Sequence, residues 1–257
     1  MTTAAPLIIV ADMRAIFLSD AHLRRPQDRN YQLLLEFLNR QKQLDALFLL
    51  GDIFEFWLGY RHLVFSAYVP LLEQLRRLTE AGTQLYFVEG NHDFLMGDYF
   101  SATLHCTVIT EQQIISWDNQ KILLCHGDLI RPNRSYRLLR GFWRSRLIRL
   151  LSRIVHPDLV WSFGIWLSNK STKNDPNFTH RDPSPVLQAY ATQQTPDCDI
   201  MVCGHFHHPV TLQHEHLKII ALGDWINQFS YAELQDGVIK LQTFPTQPNA
   251  HSDSAGQ

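Results

Sequence analysis

Short apolar runs recur along the chain, and each one ends abruptly in polar residues of the types that bind metal ions. Five such runs stand out, at positions 15–19, 46–50, 85–88, 122–125 and 200–203. They are continuous instead of alternating, which is typical of strands covered on both faces of a sheet. We therefore predict five buried strands, each followed at its carboxyl end by residues that could bind metal ions.

Helical spacing appears between these runs. Apolar residues at 31, 34, 35 and 38 follow the i, i+3, i+4, i+7 rule, and those at 71, 72, 75 and 78 nearly do so. Strands that alternate with helices predict an α/β fold, a layered body with polar residues at the carboxyl ends of its strands. The segment 231–241 predicts a hairpin that turns at Asp236 and Gly237. Residues 245–257 are rich in Pro, Asn, Ser and Gln, which predicts a disordered tail.

A basic segment at about 131–181 interrupts this rhythm. We interpret it as a helical insertion within a single domain that spans 1–244. Its apolar positions 136, 139, 143, 147, 150 and 154 form one stripe if the stretch is a single helix. Six arginines flank that stripe: Arg137, Arg140 and Arg144 on one side, and Arg146, Arg149 and Arg153 on the other. A second apolar stretch follows at 159–167.

Charge is distributed unevenly along the 257 residues, although the formal net charge is only −2. Positions 131–173 hold ten Lys or Arg and a single acid, which leaves 13 bases against 24 acids in the rest of the chain. A basic block within an acidic body indicates an anionic partner.

Cysteine spacing and hydropathy indicate the cellular location of the protein. The four cysteines have no CxxC spacing, which indicates reduced core thiols. No basic region precedes an apolar leader, and no apolar run reaches the roughly 18 residues of a membrane span. We expect a cytoplasmic protein, and the sequence leaves open a peripheral contact with the inner membrane.

Five polar motifs follow the apolar runs in order. They are Asp20-Ala-His22, Gly51-Asp52, Gly90-Asn91-His92-Asp93, His126-Gly127-Asp128 and Gly204-His205-Phe206-His207. Alone, a Gly-Asp or His-Gly dipeptide indicates nothing, and a His-x-His pair is more often a surface or core pair than a ligand pair. The Gly-Asn-His-Asp motif alone fits an ordinary turn and a site equally well. Together they supply carboxylate, amide and imidazole donors, a mixture that suits Mn²⁺, Fe²⁺, Zn²⁺ or Co²⁺ more than Ca²⁺. Two such cations with a bridging carboxylate can activate a water for attack on phosphorus.

This series resembles that of the calcineurin-like metallophosphoesterases, and the resemblance runs from about 15 to 241. It implies a β-sandwich flanked by helices and two divalent ions, for which we expect Mn²⁺, with Fe²⁺, Zn²⁺ or Co²⁺ as alternatives. By the family pattern, Asp52 bridges the two ions. The pattern assigns one ion to Asp20, His22 and His207, and the other to Asn91, His126 and His205.

Further motifs resemble those of the UDP-2,3-diacylglucosamine hydrolases, which cleave a pyrophosphate in lipid A synthesis. The similar segments are 50–59, which includes Glu55 and Trp57, together with 91–97, 124–128 and 222–225. In that family an insertion of amphipathic helices caps the site and receives acyl chains. The resemblance implies substrate contacts from Ser168, Asn169, Lys170 and Lys173.

The composition of the insertion agrees with such a substrate, because an apolar stripe suits acyl chains and arginines suit phosphates. The same stripe could lie on an anionic bilayer. A core-facing helix with a solvated basic flank is the alternative interpretation.

One motif departs from the narrower family. The lipid A hydrolases usually have Gly-Asn-Arg-Asp where this chain has His92, a residue found there in the wider superfamily. Such a histidine can protonate the leaving oxygen or stabilise transition-state charge. We therefore interpret Asp52, Asn91 and His92 as catalytic residues, with added charge from Arg131 or Arg134.

Acidic residues next to the predicted metal ligands are weaker candidates for a functional role. We interpret Asp93 as a residue that orients His92 or a ligand imidazole. Asp128 and Glu55 are further candidates for this role, or ordinary turn or surface acids.

Three alternative functions remain at this point. A phosphodiesterase or phosphatase would act on nucleotides or other small phosphates, and the insertion would only limit access. A non-catalytic metal-bearing scaffold usually loses ligands, whereas all seven are present here. A nucleic-acid enzyme fits poorly, because the basic charge is interleaved with an apolar stripe and not with exposed stacking platforms. We expect an anionic, acylated phosphate substrate as the partner.

Overall fold

The computed structural model describes residues 13–151, 154–172, 182–194 and 196–245. Its strands are β1 (Ala15–Leu18), β2 (Ala46–Leu49), β3 (Trp57–Leu58), β4 (Gln84–Val88), β5 (Asp93–Phe94), β6 (Thr107–Ile109), β7 (Gln112–Trp117), β8 (Gln120–Cys125), β9 (Ile200–Cys203), β10 (Pro209–His214), β11 (Leu217–Leu222), β12 (Ser230–Gln235) and β13 (Val238–Thr243). The helices are α1 (Arg29–Asn39), α2 (Val69–Glu80), α3 (Arg134–Trp143), α4 (Arg146–Leu151), α5 (Pro157–Thr172) and α6 (Ser184–Gln194).

The strands form two large sheets. The first has the order β13-β12-β1-β2-β4-β6, and the second has the order β10-β11-β9-β8-β7. In the first sheet β1, β2, β4 and β6 run parallel, and β12 pairs with β1 antiparallel. In the second sheet β8, β9 and β11 run parallel, with antiparallel strands at both edges. The short strands β3 and β5 form a separate parallel pair.

Three apolar layers hold the sheets and helices together. One cluster lies between the two sheets and joins residues such as Phe17 and Phe48 of the first to Leu124 and Val202 of the second. A second cluster packs α1 and α2 on the outer face of the first sheet. A third packs α6 on the outer face of the second sheet. The predicted β-sandwich flanked by helices is confirmed.

The strands that precede the polar motifs are buried at every position in β1, β2 and β9, as their continuous apolar runs predict. The helical patterns correspond to α1 and α2, and the predicted hairpin is β12–β13 with its turn at Asp236 and Gly237. Apart from Pro245, the predicted disordered tail lies outside the described residues.

Helices α3, α4 and α5 fall within the predicted insertion and are called the cap here. The stripe does not lie on a single helix, because α3 ends at Trp143 and α4 begins at Arg146. The Ser145 hydroxyl accepts the Ile148 N–H at 3.3 Å, which is the bond of a residue that starts a new helix. The break divides the stripe. Trp143 lines a cavity, whereas Leu147 is 55% exposed.

The segment 173–181 and residues 152 and 153 of the insertion lie outside the described residues. The domain boundaries therefore stay a prediction. Across the parts of the chain that the structure describes, none of the helices is long and apolar enough to cross a membrane.

Candidate active site

The five motif loops meet where the parallel strands of both sheets end. Backbone hydrogen bonds join them: the Asp20 N–H donates to the Gly51 carbonyl at 3.1 Å, and the Gly204 N–H donates to the His126 carbonyl at 2.8 Å. The Asp20 carboxylate accepts the His205 N–H at 2.8 Å and so connects the first motif to the last. Strands from two sheets therefore deliver their polar ends to one place.

Backbone conformation marks the same place. Positive φ angles occur at Asp20 (52°), His22 (45°), Asp52 (54°), His205 (71°) and His207 (50°). Residues other than glycine rarely adopt this left-handed conformation, and where they do, the surrounding structure holds them in it. These five predicted ligands are among the thirteen described non-glycine residues with a positive φ angle.

Three groups of donor atoms lie in this region, each with all its donors within 4.8 Å of one another. Two of them consist of predicted ligands: Asp20, His22 and His207 form the first, and Asp52, His126 and His205 form the second. The third group is His22, Glu55 and His92. The Asp52 Oδ2 atom lies 3.8 Å from His22 Nε2 and 3.4 Å from His126 Nε2, so this carboxylate faces both groups. The Asn91 Oδ1 atom lies 3.0 Å from His126 Nε2 and joins the second group. The structure thus brings all seven predicted ligands together.

The donor chemistry of these residues fits divalent metal ions. Among the described residues, Asp20 Oδ1 and His22 Nε2 are buried polar atoms without a hydrogen-bond partner. Buried polar atoms are normally satisfied, and a cation between these two would satisfy both. Carboxylate, amide and imidazole donors also match the preference of Mn²⁺, Fe²⁺, Zn²⁺ and Co²⁺.

The field at the site attracts positive charge. Burial lowers the pKa of His22, but the Glu55 hydrogen bond and the nearby Asp52 charge outweigh burial and raise that pKa to about 9. Burial would raise the pKa of Asp52, but the imidazoles of His126 and His92 hold it well below its usual range. In contrast, burial and the neighbouring His126 lower the pKa of His205 to about 4. The carboxylates therefore favour a bound cation.

The second nitrogen of three ligand imidazoles faces an acceptor. His22 Nδ1 lies 3.4 Å from Glu55 Oε2, and His207 Nδ1 lies 3.8 Å from Asp224 Oδ2. His126 Nδ1 lies 2.8 Å from the Leu50 carbonyl. The Glu55 and Leu50 partners orient their rings and leave the other nitrogen to the metal, whereas the Asp224 carboxylate is too distant to hydrogen-bond to His207.

The roles of Glu55 and Asp224 were underestimated or missed from the sequence. Glu55 is only 2% exposed and also accepts hydrogen bonds from Arg24 and from Ser168 of α5. Asp224 follows the apolar strand β11 by two residues, so it carries the same signal that identified the other motifs. Both carboxylates are buried beside a ligand imidazole, in contrast to ordinary surface acids.

Asp93 has a different role from the predicted one. Its carboxylate accepts the backbone N–H groups of Asp52 at 2.8 Å, Ile53 at 2.7 Å, Phe54 at 3.1 Å and Gly90 at 3.1 Å. Through these bonds it orients the backbone of two loops and not an imidazole ring. Burial and the Asp52 charge raise its pKa to about 7. Asp93 thereby fixes the turn that presents Asp52.

Asp128 also differs from the prediction. Its carboxylate accepts the Tyr136 hydroxyl at 2.6 Å and Arg140 Nε at 3.0 Å. Both partners lie on α3. Asp128 therefore ties the cap to the fourth motif and does not orient a ligand ring through these bonds.

His92 is held through both its backbone and its ring. Its backbone N–H donates to Asp52 Oδ1 at 2.9 Å, and its Nδ1 lies 3.0 Å from the Glu55 backbone carbonyl. A carbonyl only accepts, so Nδ1 carries the proton and Nε2 remains for a bound ligand. Burial is the main cause that lowers the pKa of His92.

A cavity of about 510 Å³ extends from the donor groups into the cap. Its polar end includes Asn91, His92 and Ser168, and the remaining wall is mostly apolar. That wall comes from all three cap helices, with Leu139, Trp143, Ile148, Leu151, Phe163 and Leu167 among its residues.

The predicted substrate residues divide into two groups. Ser168 is buried and lines the cavity. The side chains of Asn169 and Lys170 and the whole of Lys173 lie outside the described part of the chain. Arg131 and Arg134 are exposed and do not line the cavity, whereas Arg140 and Arg144 do.

The chain is similar to several known proteins. The sequence model of the calcineurin-like phosphoesterase family matches residues 13–209. A UDP-2,3-diacylglucosamine hydrolase of Chromohalobacter salexigens is 32% identical over 83% of this chain and 89% of that protein. One from Haemophilus influenzae is 29% identical over 83% of this chain and 91% of that protein. A solved archaeal phosphodiesterase is similar over 90% of this chain and 100% of that one, with 12% identity and a TM-score of 0.48.

We expect Glu55→Gln to weaken metal binding, because the neutral amide holds the His22 ring less firmly. The affinity for Mn²⁺ should fall about 10-fold or more, as measured by titration calorimetry on the metal-free protein. Glu73→Gln, at a half-buried acid of α2 outside the donor groups, is the matched control. Equal affinities in the two variants would contradict this role for Glu55.

Proposed function

Because the chain belongs to the calcineurin-like phosphoesterase family and is a metal-dependent phosphoester hydrolase, we propose that it cleaves the pyrophosphate of UDP-2,3-diacylglucosamine. The products are UMP and 2,3-diacylglucosamine 1-phosphate. The cavity is the observation that carries this proposal, since it joins phosphoester-cleaving residues to an apolar chamber in the cap. A diacylated sugar nucleotide has the same two-part character. The relatives of that name support the same substrate.

The residues of the site have distinct roles in this reaction. When bound, the two divalent ions supply an activated water and stabilise charge on the phosphoryl oxygens. Asp52 bridges the two donor groups, and Asn91 completes the second. His92 presents Nε2 toward the leaving group, because its Nδ1 proton is engaged by the Glu55 carbonyl. We propose Mn²⁺ as the ion, with Fe²⁺, Zn²⁺ or Co²⁺ as alternatives.

A second candidate function is a phosphodiesterase or phosphatase that acts on nucleotides or other small phosphates. His92 favours it, since the lipid A hydrolases usually have arginine at this position. In that case the cap would restrict access and bind no acyl chain.

Exposed apolar residues support a peripheral location on the cytoplasmic membrane face. Leu138 is 76% exposed, Ile154 is 74% exposed and Leu159 is 64% exposed, and all three lie in or next to cap helices. Basic residues of the same segment would attract anionic lipid headgroups.

The substrate proposal predicts that the protein with Mn²⁺ releases UMP from UDP-2,3-diacylglucosamine. We expect turnover to exceed that of bis-p-nitrophenyl phosphate, because only the acylated substrate fills the apolar part of the cavity. Chromatographic detection of UMP measures the reaction. Brisk hydrolysis of the model diester without UMP formation would favour the second candidate.

The bridging assignment predicts that Asp52→Ala abolishes turnover while the fold survives. Loss of a carboxylate shared by two ions should lower turnover by about three orders of magnitude or more. Turnover and circular dichroism are measured on the same preparation, with Asp98→Ala as a control outside the donor groups. Retained activity in Asp52→Ala would refute the two-metal assignment.

The membrane proposal predicts that the protein sediments with vesicles containing phosphatidylglycerol. The double variant Leu138→Asp and Ile154→Asp should lose this association, because charge at exposed apolar positions opposes insertion. Val238→Asp, at a residue of β13 that is 52% exposed, is the control. Equal sedimentation of all three proteins would count against membrane contact through the cap.

A further inference from the structure

The segment from Gly90 to Asp93 carries two of the candidate catalytic residues, Asn91 and His92. One side of it is packed directly on Asp52. A Cβ atom at Gly90 would lie 2.2 Å from Asp52 Oδ1 and 2.5 Å from Asp52 N, so only glycine fits this approach. The His92 N–H donates to the same carboxylate at 2.9 Å.

The other side of the segment is held by Arg144, which follows α3 of the cap. One terminal nitrogen, Nη2, donates to the Gly90 carbonyl at 2.7 Å. The other, Nη1, donates to Glu89 Oε2 at 2.5 Å and to the Thr110 carbonyl at 3.1 Å. The guanidinium also lies 5.4 Å from the centre of the Phe94 ring. Arg144 thus contacts residues on both sides of Asn91 and His92.

Glu89 extends this support to the residues that follow the segment. Its second oxygen, Oε1, accepts the Met96 N–H at 3.2 Å. The side chains of Arg144 and Glu89 are 14% and 4% exposed, so the pair is largely removed from water. Hydrogen bonds between charged groups in such surroundings are strong and directional.

The contacts of Arg144 are those of a support. Both of its terminal nitrogens donate to protein oxygens, two of which are backbone carbonyls. The Gly90 carbonyl belongs to the peptide unit that also contains the Asn91 nitrogen. A bond to that carbonyl therefore sets the plane from which the Asn91 side chain reaches the second donor group.

We infer that Arg144 is a positioning residue: it fixes the Gly90–Asn91 peptide, and the cap helix α3 is thereby part of the metal-binding machinery. This inference rests on the proposed assignment of Asn91 as a metal ligand. The hydrolysis of small phosphoesters that never reach the apolar chamber should therefore also require Arg144.

The test compares Arg144→Gln and Arg144→Lys with the wild type. Calorimetry with Mn²⁺ alone gives the two binding affinities, and bis-p-nitrophenyl phosphate gives kcat and KM. We expect Arg144→Gln to weaken one Mn²⁺ site and to lower kcat, each by about 10-fold to 100-fold, with KM changed much less. Arg144→Lys should recover part of both losses. Arg77→Gln, at an exposed arginine of α2, should match the wild type.

Glu89→Gln tests the same support without altering a residue that lines the cavity. We expect it to show the same pattern, a weaker Mn²⁺ site and a lower kcat. It also decides the question if Arg144→Gln does not fold, which thermal unfolding and circular dichroism would reveal. A rise in KM with unchanged Mn²⁺ affinities in the Arg144 variants would show a direct phosphate contact and overturn the inference.

Asn91→Ala separates this inference from the proposed function. If Asn91→Ala weakens one Mn²⁺ site and neither the Arg144 nor the Glu89 variants do, only the inference fails. If Asn91→Ala leaves both affinities unchanged, the ligand assignment fails, and the inference fails with it.

Discussion

The buried carboxylate of Asp52 is the constraint on which the rest of the structure depends. An ionised carboxylate that is only 2% exposed loses its hydration at a cost of several kcal/mol, so its surroundings must replace that hydration. They do so with the imidazoles of His22 and His126 and with the His92 N–H. These partners come from three different loops, so satisfying one charge determines how the loops are arranged.

The same requirement explains the backbone around Asp52. Its φ angle of 54° is left-handed, and Asp93 accepts its N–H at 2.8 Å to hold that conformation. The glycines on either side of the contact have no room for a side chain, since a Cβ atom at Gly51 would lie 2.7 Å from the Gly90 Cα. A left-handed backbone and close approach thus coincide at the point where the two donor groups meet.

Much of this arrangement could be predicted because it depends on local properties. Continuous apolar runs specify buried strands, and parallel strands end at a common edge, so the residues after them must converge. A charged residue that finds its partner in a distant loop leaves no such local signal. The pairing of Glu89 with Arg144 joins residues 55 positions apart, and nothing in either local sequence indicates it.

The insertion shows the limit of a helical projection. A projection shows which residues share a side of a helix, but not what that side will face once the helix has packed. Arg140 and Arg144 lie on the flank that meets the body, where they pair with Asp128 and Glu89. Arg131 and Arg134 precede that packing surface or begin α3 and remain exposed. Two of the six arginines that the sequence pattern associated with phosphate binding, Arg140 and Arg144, therefore attach the cap to the body.

Two glutamates at the border between cap and body connect these observations. Glu55 accepts a hydrogen bond from Ser168 of α5 and faces His22, whereas Glu89 pairs with Arg144 beside α3 and binds the segment that carries Asn91. Helices α3 and α5 are thus each attached through a carboxylate whose other contacts reach a ligand or its loop. A cap that only restricted access could be attached anywhere on the rim. Attachment at these two residues makes the cap and the metal-binding loops one mechanical unit.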